Sequence, residues 1–176
     1  MLTTARMRLV PRTAELTRAE IADRAAFAAL LHATVPANWP PDLLADAVPW
    51  FLQQMEAAPD QVGWLDWYGL VRGIGGQPDL LVASGGFLGP PQDGTVEVGY
   101  SVLPQFQRQG LATEMVGGLV EWALAQAGVQ QVVAEVHTDN TPSVRLLARL
   151  GFVAIGAGRD PGHLRFRRSG GAGQAG

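Results

Sequence analysis

Apolar and polar positions alternate most clearly from Thr95 to Leu103. Val96, Val98, Tyr100 and Val102 take one face there and Glu97, Gly99 and Ser101 the other, which is the two-residue period of a strand. Two earlier stretches, Val62 to Val71 and Leu80 to Leu88, are rich in aromatic and branched residues. Gly73-Ile-Gly-Gly76 separates them, and Gly89-Pro-Pro-Gln-Asp-Gly94 leads from the second into Thr95. The three stretches predict an antiparallel meander. Beyond Gly110 the spacing is helical through Ala127, Gly128 punctuates, and Val129 to Val136 reads as a buried strand. Strand, helix and strand make a βαβ crossover, whose two strands should be parallel.

Ahead of the meander, Arg6 to Leu16 reads as an extended opening piece. Thr17 then reads as an N-cap, with Glu20 placed as a capping box wants, for a helix ending near Ala33. Val35 to Pro41 carries three prolines and is a structured loop. Helical spacing resumes from Asp42 to Ala57, broken at Pro49. After the crossover, Thr141-Pro142 opens a last helix that Gly151 caps, and Phe152 to Ile155 and Leu164 to Arg167 close the pattern as short strands. The prediction is one α+β domain over residues 1–168, with a mixed, mainly antiparallel twisted sheet flanked by helices. Residues 169–176 have no apolar side chain larger than Ala and read as a disordered tail.

Composition removes several chemistries. The chain has 176 residues, 47% of them hydrophobic, enough for one domain with a substantial core. All 13 basic residues are Arg, so a Lys Schiff base and a Lys-bearing phosphate loop are excluded. The absence of Cys removes thiol nucleophiles, disulfides and Cys-ligated zinc, and fits a cytoplasmic protein. His32, His137 and His163 lack metal-ligand spacing, so no metal is expected. A net charge of −3 argues against nucleic acid as a partner. No run approaches the ~20 apolar residues of a spanning helix, so no membrane partner is expected.

Chemistry concentrates between Glu97 and Phe152. Pro104-Gln-Phe-Gln107-Arg108-Gln109-Gly110-Leu111-Ala112-Thr113 is a strand-to-helix turn with small residues near the helix start. Free N–H groups converge at such a terminus and attract anions, and Arg108 adds a charge. Taken alone, the same spacing also suits a tight junction made for packing. Gln107-x-x-Gly110-x-Ala112 resembles the Gln/Arg-x-x-Gly-x-Gly/Ala motif of the GNAT superfamily of acyl-CoA-dependent N-acetyltransferases. Val98-Gly99-Tyr100 upstream, Asn140-x-x-Ser143-x-Arg145-Leu146 and Leu150-Gly151-Phe152 downstream, and a Thr4-x-Arg6-x-Arg8-Leu9 start agree. These details most resemble the branch containing ribosomal-protein N-terminal acetyltransferases.

The resemblance implies a GNAT-like fold and transfer of acetyl from acetyl-CoA directly to a primary amine, on a peptide N-terminus or a small molecule. It implies that the N–H groups of Gln109, Gly110, Leu111, Ala112 and Thr113 hold the diphosphate, with Gln107 and Arg108 lining the turn. The strand ending at Val102 and Leu103 would splay from the following strand to admit the pantetheine arm, and the Leu103 N–H would face the thioester carbonyl. Asn140 would bind the pantetheine or order the turn. The family's Tyr, seven residues after the Asn, is replaced here by Leu147. In the ribosomal-protein branch, a Ser at the position of Ser143 supplies the proton to the leaving thiolate. The missing Tyr motivates a contrary reading, a non-catalytic acyl-CoA-binding or sensor module.

An alkyl ammonium of pKa about 10 must lose a proton before it attacks. Glu97 is the candidate base, with Asp66 and Glu135 behind it. Alternation does not say which face meets the substrate, and an exposed strand carboxylate is the plain alternative for Glu97. Trp39, in the Pro-rich loop, is the candidate substrate contact. A homodimer is left open.

Overall fold

The structure is a computed structural model and describes residues 1–171. Its strands are β1 (Leu2–Thr3), β2 (Met7–Pro11), β3 (Ala33–Thr34), β4 (Asp66–Val71), β5 (Asp79–Phe87), β6 (Thr95–Val102), β7 (Gln131–His137), β8 (Val153–Ala157) and β9 (His163–Ser169). Its helices are α1 (Ala14–Ala22), α2 (Arg24–Leu31), α3 (Asp42–Ala45), α4 (Val48–Ala57), α5 (Leu111–Leu124) and α6 (Thr141–Arg149). The sheet order is β1-β2-β4-β5-β6-β7-β9-β8, with β3 beside β5. Among the described residues only β6–β7 and β3–β5 pair in parallel. The meander is β4-β5-β6, and the crossover is β6-α5-β7.

Each face of the sheet buries its own apolar cluster. On one face, Leu111, Met115, Leu119 and Val120 of α5 and Leu146 and Leu147 of α6 pack on Val96, Val98 and Val102 of β6 and Val132 and Val136 of β7. These β6 residues share a face because successive side chains alternate. On the other, Leu16 of α1 and Phe27 and Leu31 of α2 pack on Tyr68, Leu70 and Leu81. Trp64 and Trp67 stack with Trp122 of α5, so these aromatics are core material.

The N-terminal helix differs from the expectation. It begins at Ala14 under Thr13, whose side chain accepts from the Leu16 N–H, and Thr17 is buried inside it. Asp23 interrupts the expected single helix by accepting from Ala25 and Ala26 N–H, which starts α2 in a new direction. The expected helix over 42–57 is likewise two pieces, with Pro49 in the first turn of α4. The last strand extends through Ser169, and the Gly170 N–H bonds Gln130 O, so the chain stays attached to the sheet beyond residue 168. Residues 172–176 of the expected tail lie outside the described residues.

A buried ionic cluster joins α1 to the sheet. Arg12, fully buried, donates from Nε to Asp66 at 2.7 Å and from Nη1 to Glu20. Tyr68 Oη and Trp39 Nε1 also donate to Glu20, both at 2.7 Å, and Ser84 Oγ donates to Asp66 at 2.7 Å. Burial works against the Arg12 charge, but Asp66, Tyr68 and Glu20 around it prevail and hold its pKa above the ordinary value. Glu20 therefore serves this cluster and not a capping box. Removing the cation would strand two buried carboxylates. Arg12→Met is expected to lower unfolding stability by about 3–5 kcal/mol, measured by urea denaturation.

Candidate active site

β6 leads directly into the turn that the sequence singled out. Pro104–Phe106 forms one 3-10 turn, and Arg108 (φ 61) and Gly110 (φ 78) take left-handed conformations that swing the chain into α5. Glycine at 110 adopts that conformation without steric cost, and a Cβ there would meet Arg6 Nη2 at 3.3 Å. The first helical N–H to find a partner is that of Glu114, which bonds Gly110 O at 3.1 Å. The N–H groups of Arg108, Gln109, Gly110, Leu111, Ala112 and Thr113 find no acceptor among the described residues. Six consecutive main-chain donors at the positive end of a helix suit a diphosphate.

Side chains hold this turn in place. Gln107 Nε2 donates to Val102 O at 3.0 Å, and Gln109 Nε2 to Gln105 O at 3.2 Å. Arg6 donates from Nη1 to Gln109 O at 2.9 Å and from Nε to Glu114 at 2.7 Å, and Thr4 donates to the same carboxylate at 2.6 Å. Despite the cost of desolvation, these donors hold the Glu114 carboxyl below its ordinary range. The Thr4-x-Arg6 start thus buttresses the turn. Pattern reading missed this link because 108 residues of chain separate Arg6 from Glu114.

The strands on either side of α5 part as they approach the turn. β6 and β7 pair only at Thr95–Gln131, Val96–Val132 and Glu97–Val133, although β6 runs on to Val102 and β7 to His137. The opening beyond Glu97 is the expected splay. Leu88 N–H bonds Glu97 O, and Leu103 N–H bonds Val82 O at 3.0 Å. With the alternation of an antiparallel pair, the main chain of Glu97, Gly99, Ser101 and Leu103 therefore faces β5, and that of Val98, Tyr100 and Val102 faces the split. This corrects the expectation for Leu103. Its N–H is taken up within the sheet, and the donors directed into the split belong to Tyr100 and Val102.

The N-terminus of α6 stands at the open end of the split. Asn140 orders it, since its Oδ1 accepts the Ser143 N–H at 3.2 Å. Ser143 Oγ accepts a hydrogen bond from Tyr100 Oη at 2.8 Å. Nothing in the sequence pattern foretold this contact.

The opposite face of the sheet carries a cavity of about 320 Å³, walled by Leu44, Trp50 and Phe51 and floored by Asp66, Gly99 and Ser101. A Cβ built on Gly99 would meet nothing within 4 Å. Burial pushes the Asp66 carboxyl up, against Arg12 and Ser84. Trp39 lies elsewhere than expected. It is 5% exposed, its indole is bound to Glu20 and its ring packs on Tyr68, so Trp50 and not Trp39 is the indole lining the cavity. Glu97 shares the face of Gly99 and Ser101 and lines a neighbouring polar cavity with Arg159 and Arg165. Arg159 donates to Glu97, and Arg165 Nη1 lies 3.8 Å from it. Burial raises the Glu97 carboxyl above its ordinary value, against Arg159 and with Glu135 adding to the shift. Glu135 is spoken for by the Arg159 N–H at 3.0 Å and by Arg165 at 2.5 Å, which outweigh desolvation and keep its carboxyl low. Among the described residues no group of three or more His, Asp or Glu could hold a metal ion, and no helix is long and apolar enough to cross a membrane.

Known proteins share this fold. The acetyltransferase (GNAT) domain family matches residues 14–153. An N-acetyltransferase of Bacillus subtilis (strain 168), YjdG, is 28% identical over 117 residues, covering 66% of this chain and 67% of that protein. RimL, a ribosomal L7/L12 alpha-N-protein acetyltransferase solved with coenzyme A, superposes with a TM-score of 0.65 at 14% identity over 96% of each chain. The ribosomal-protein-S5-alanine acetyltransferase of Vibrio fischeri gives 0.64 at 13% identity over 97% of each. At these identities the two structures testify to the fold alone. With the family match spanning most of the chain, the protein belongs to the GNAT acetyltransferase family and is an acetyl-CoA-dependent acetyltransferase.

Proposed function

We propose that the enzyme transfers acetyl from acetyl-CoA directly to a primary amine carried on an apolar body, such as the α-amino group of a peptide N-terminus or a small-molecule amine. One observation carries this reading. Gly99, Tyr100 and Ser101 of β6 line the apolar cavity, and the main chain of Tyr100 also faces the split, so an amine in the cavity meets a thioester in the split across one strand. The apolar walls exclude water around the attacking nitrogen, and the cavity suits one side chain of moderate size. Two relatives in fold act, by name, on ribosomal proteins, one of them as an alpha-N-protein acetyltransferase, which supports a peptide N-terminus among the possible amines.

In this reading the bare N–H groups from Arg108 to Thr113 hold the diphosphate. The Tyr100 and Val102 N–H groups pair with the donor in the split, and Val102 N–H stabilises the charge that develops on the thioester oxygen. Gln107 keeps that edge in register through Val102 O. Glu97 accepts the amine's proton through water, its raised pKa suiting it to the task. Attack is direct because the chain has no Cys to carry an acyl group.

Three experiments test this scheme. Gly110→Trp is expected to abolish CoA binding by calorimetry while thermal unfolding still shows a folded protein. Gly99→Leu fills open space and is expected to raise KM for the amine about tenfold while leaving CoA affinity unchanged, because the loss is of acceptor space alone. Glu97→Gln is expected to lower kcat about 10²-fold with CoA affinity intact. In the wild type, kcat at saturating amine should fall as pH drops through a pKa above the ordinary carboxylate range, because protonation removes the base. The variant should lose that limb.

A further inference from the structure

Where the family pattern places a Tyr in the last helix, Leu147 is fully buried in the core and offers no hydroxyl. The residues bordering the split supply one from another element. Tyr100 projects from β6 and Ser143 from the first turn of α6, and their hydroxyls meet at 2.8 Å across the gap where β6 and β7 no longer pair. The Ser143 main-chain N–H is engaged by Asn140, which fixes the backbone beneath that hydroxyl. Ser143 Oγ has the phenol as its one hydrogen-bond partner among the described residues, and it accepts that bond. A serine hydroxyl has one hydrogen and two lone pairs. With a lone pair occupied by the phenol, the hydrogen is left for an acceptor in the split, at a helix end that favours negative charge.

We infer that Tyr100 is the positioning residue for proton delivery to the leaving sulfur, holding Ser143 so that its hydroxyl hydrogen points into the split. The inference rests on the acetyl-transfer reading above. As the amine nitrogen bonds the acetyl carbon, the C–S bond breaks and sulfur takes the bonding pair. The Ser143 proton passes to sulfur, and the Tyr100 phenol proton replaces it on Oγ. The phenolate recovers a proton from solvent at the open end of the split, while the proton shed by nitrogen leaves through Glu97 and water. Burial raises the Tyr100 phenol above its ordinary pKa, so the phenol carries its proton at neutral pH.

The test compares wild type, Tyr100→Phe, Ser143→Ala and the double variant. Tyr100→Phe keeps the ring in the core and removes only the hydroxyl. It is expected to lower kcat about tenfold with KM for acetyl-CoA within about twofold, and the double variant should be no slower than Ser143→Ala alone. A second readout needs no turnover. Titrating the thiolate absorbance of bound CoA should give a thiol pKa below the free value of about 8.5 in the wild type, and each single variant should move it back up by about half a unit. Additive losses in kcat, or a bound-thiol pKa that neither variant moves, would overturn the positioning role while CoA binding and transfer persist. A wild type that fails to bind CoA would instead overturn the acetyl-transfer reading, and this role with it.

Discussion

Parallel pairing between β6 and β7 ends at Glu97 and Val133, and most of the functional geometry follows from that interruption. Main-chain groups of a central strand ordinarily find partners in the neighbouring strand, and leaving them bare in a dry place costs free energy. Here the edge from Val98 to Val102 opens toward a gap, with the bare turn beyond it. In the proposed function, a ligand bearing amides and a diphosphate would satisfy both sets of donors at once, the amides beside the strand and the phosphates at the helix start. α5 and α6 bury their apolar residues in one cluster on one face of the sheet, against both strands that border the split.

The acceptor side depends on a different device. Arg12, Glu20 and Asp66 place one cation between two carboxylates beneath the sheet, and Tyr68, Ser84 and Trp39 supply the remaining hydrogen bonds. The cluster fixes α1 against β4 and β5, and α4 packs on α1, with Thr17 Oγ1 3.7 Å from Met55 Sδ. The cavity wall formed by Trp50 and Phe51 is thereby held at a set height above Gly99 and Ser101. A buried ion pair is weak evidence of stability on its own, but here its removal would disturb the position of a wall. Glu97 joins this side through Arg159, which lies in the connection between β8 and β9, so that connection bears on the proposed base.

Much of this was legible in the chain. The alternation of β6, the turn residues before it and the helical spacing after Gly110 each reflect a local periodicity, and local periodicity survives without knowledge of partners. The donors of the turn were legible for the same reason, since a helix start leaves its first N–H groups unpaired wherever it lies. The start of α1 was misread because Thr13 and Thr17 are chemically equivalent as caps, and only the buried ion pair of Arg12 decides which one ends the strand.

Direction and long-range contact had to await the tertiary structure. Alternation says that Leu103 and Val102 face opposite ways, but not which of them faces β5. The pairing with Val82 settles that, and it moves the donor in the split by one residue. Tyr100 and Ser143 stand 43 residues apart, and no pattern within either element predicts that their hydroxyls meet. The sequence by itself determined the order of elements from the meander onward, the identity of the crossover and the turn of unpaired N–H groups, because these depend on near neighbours. Which side each strand shows to its partner, which carboxylates are shielded and which hydroxyls touch were decided only when the sheet assembled, because they depend on pairings between distant segments.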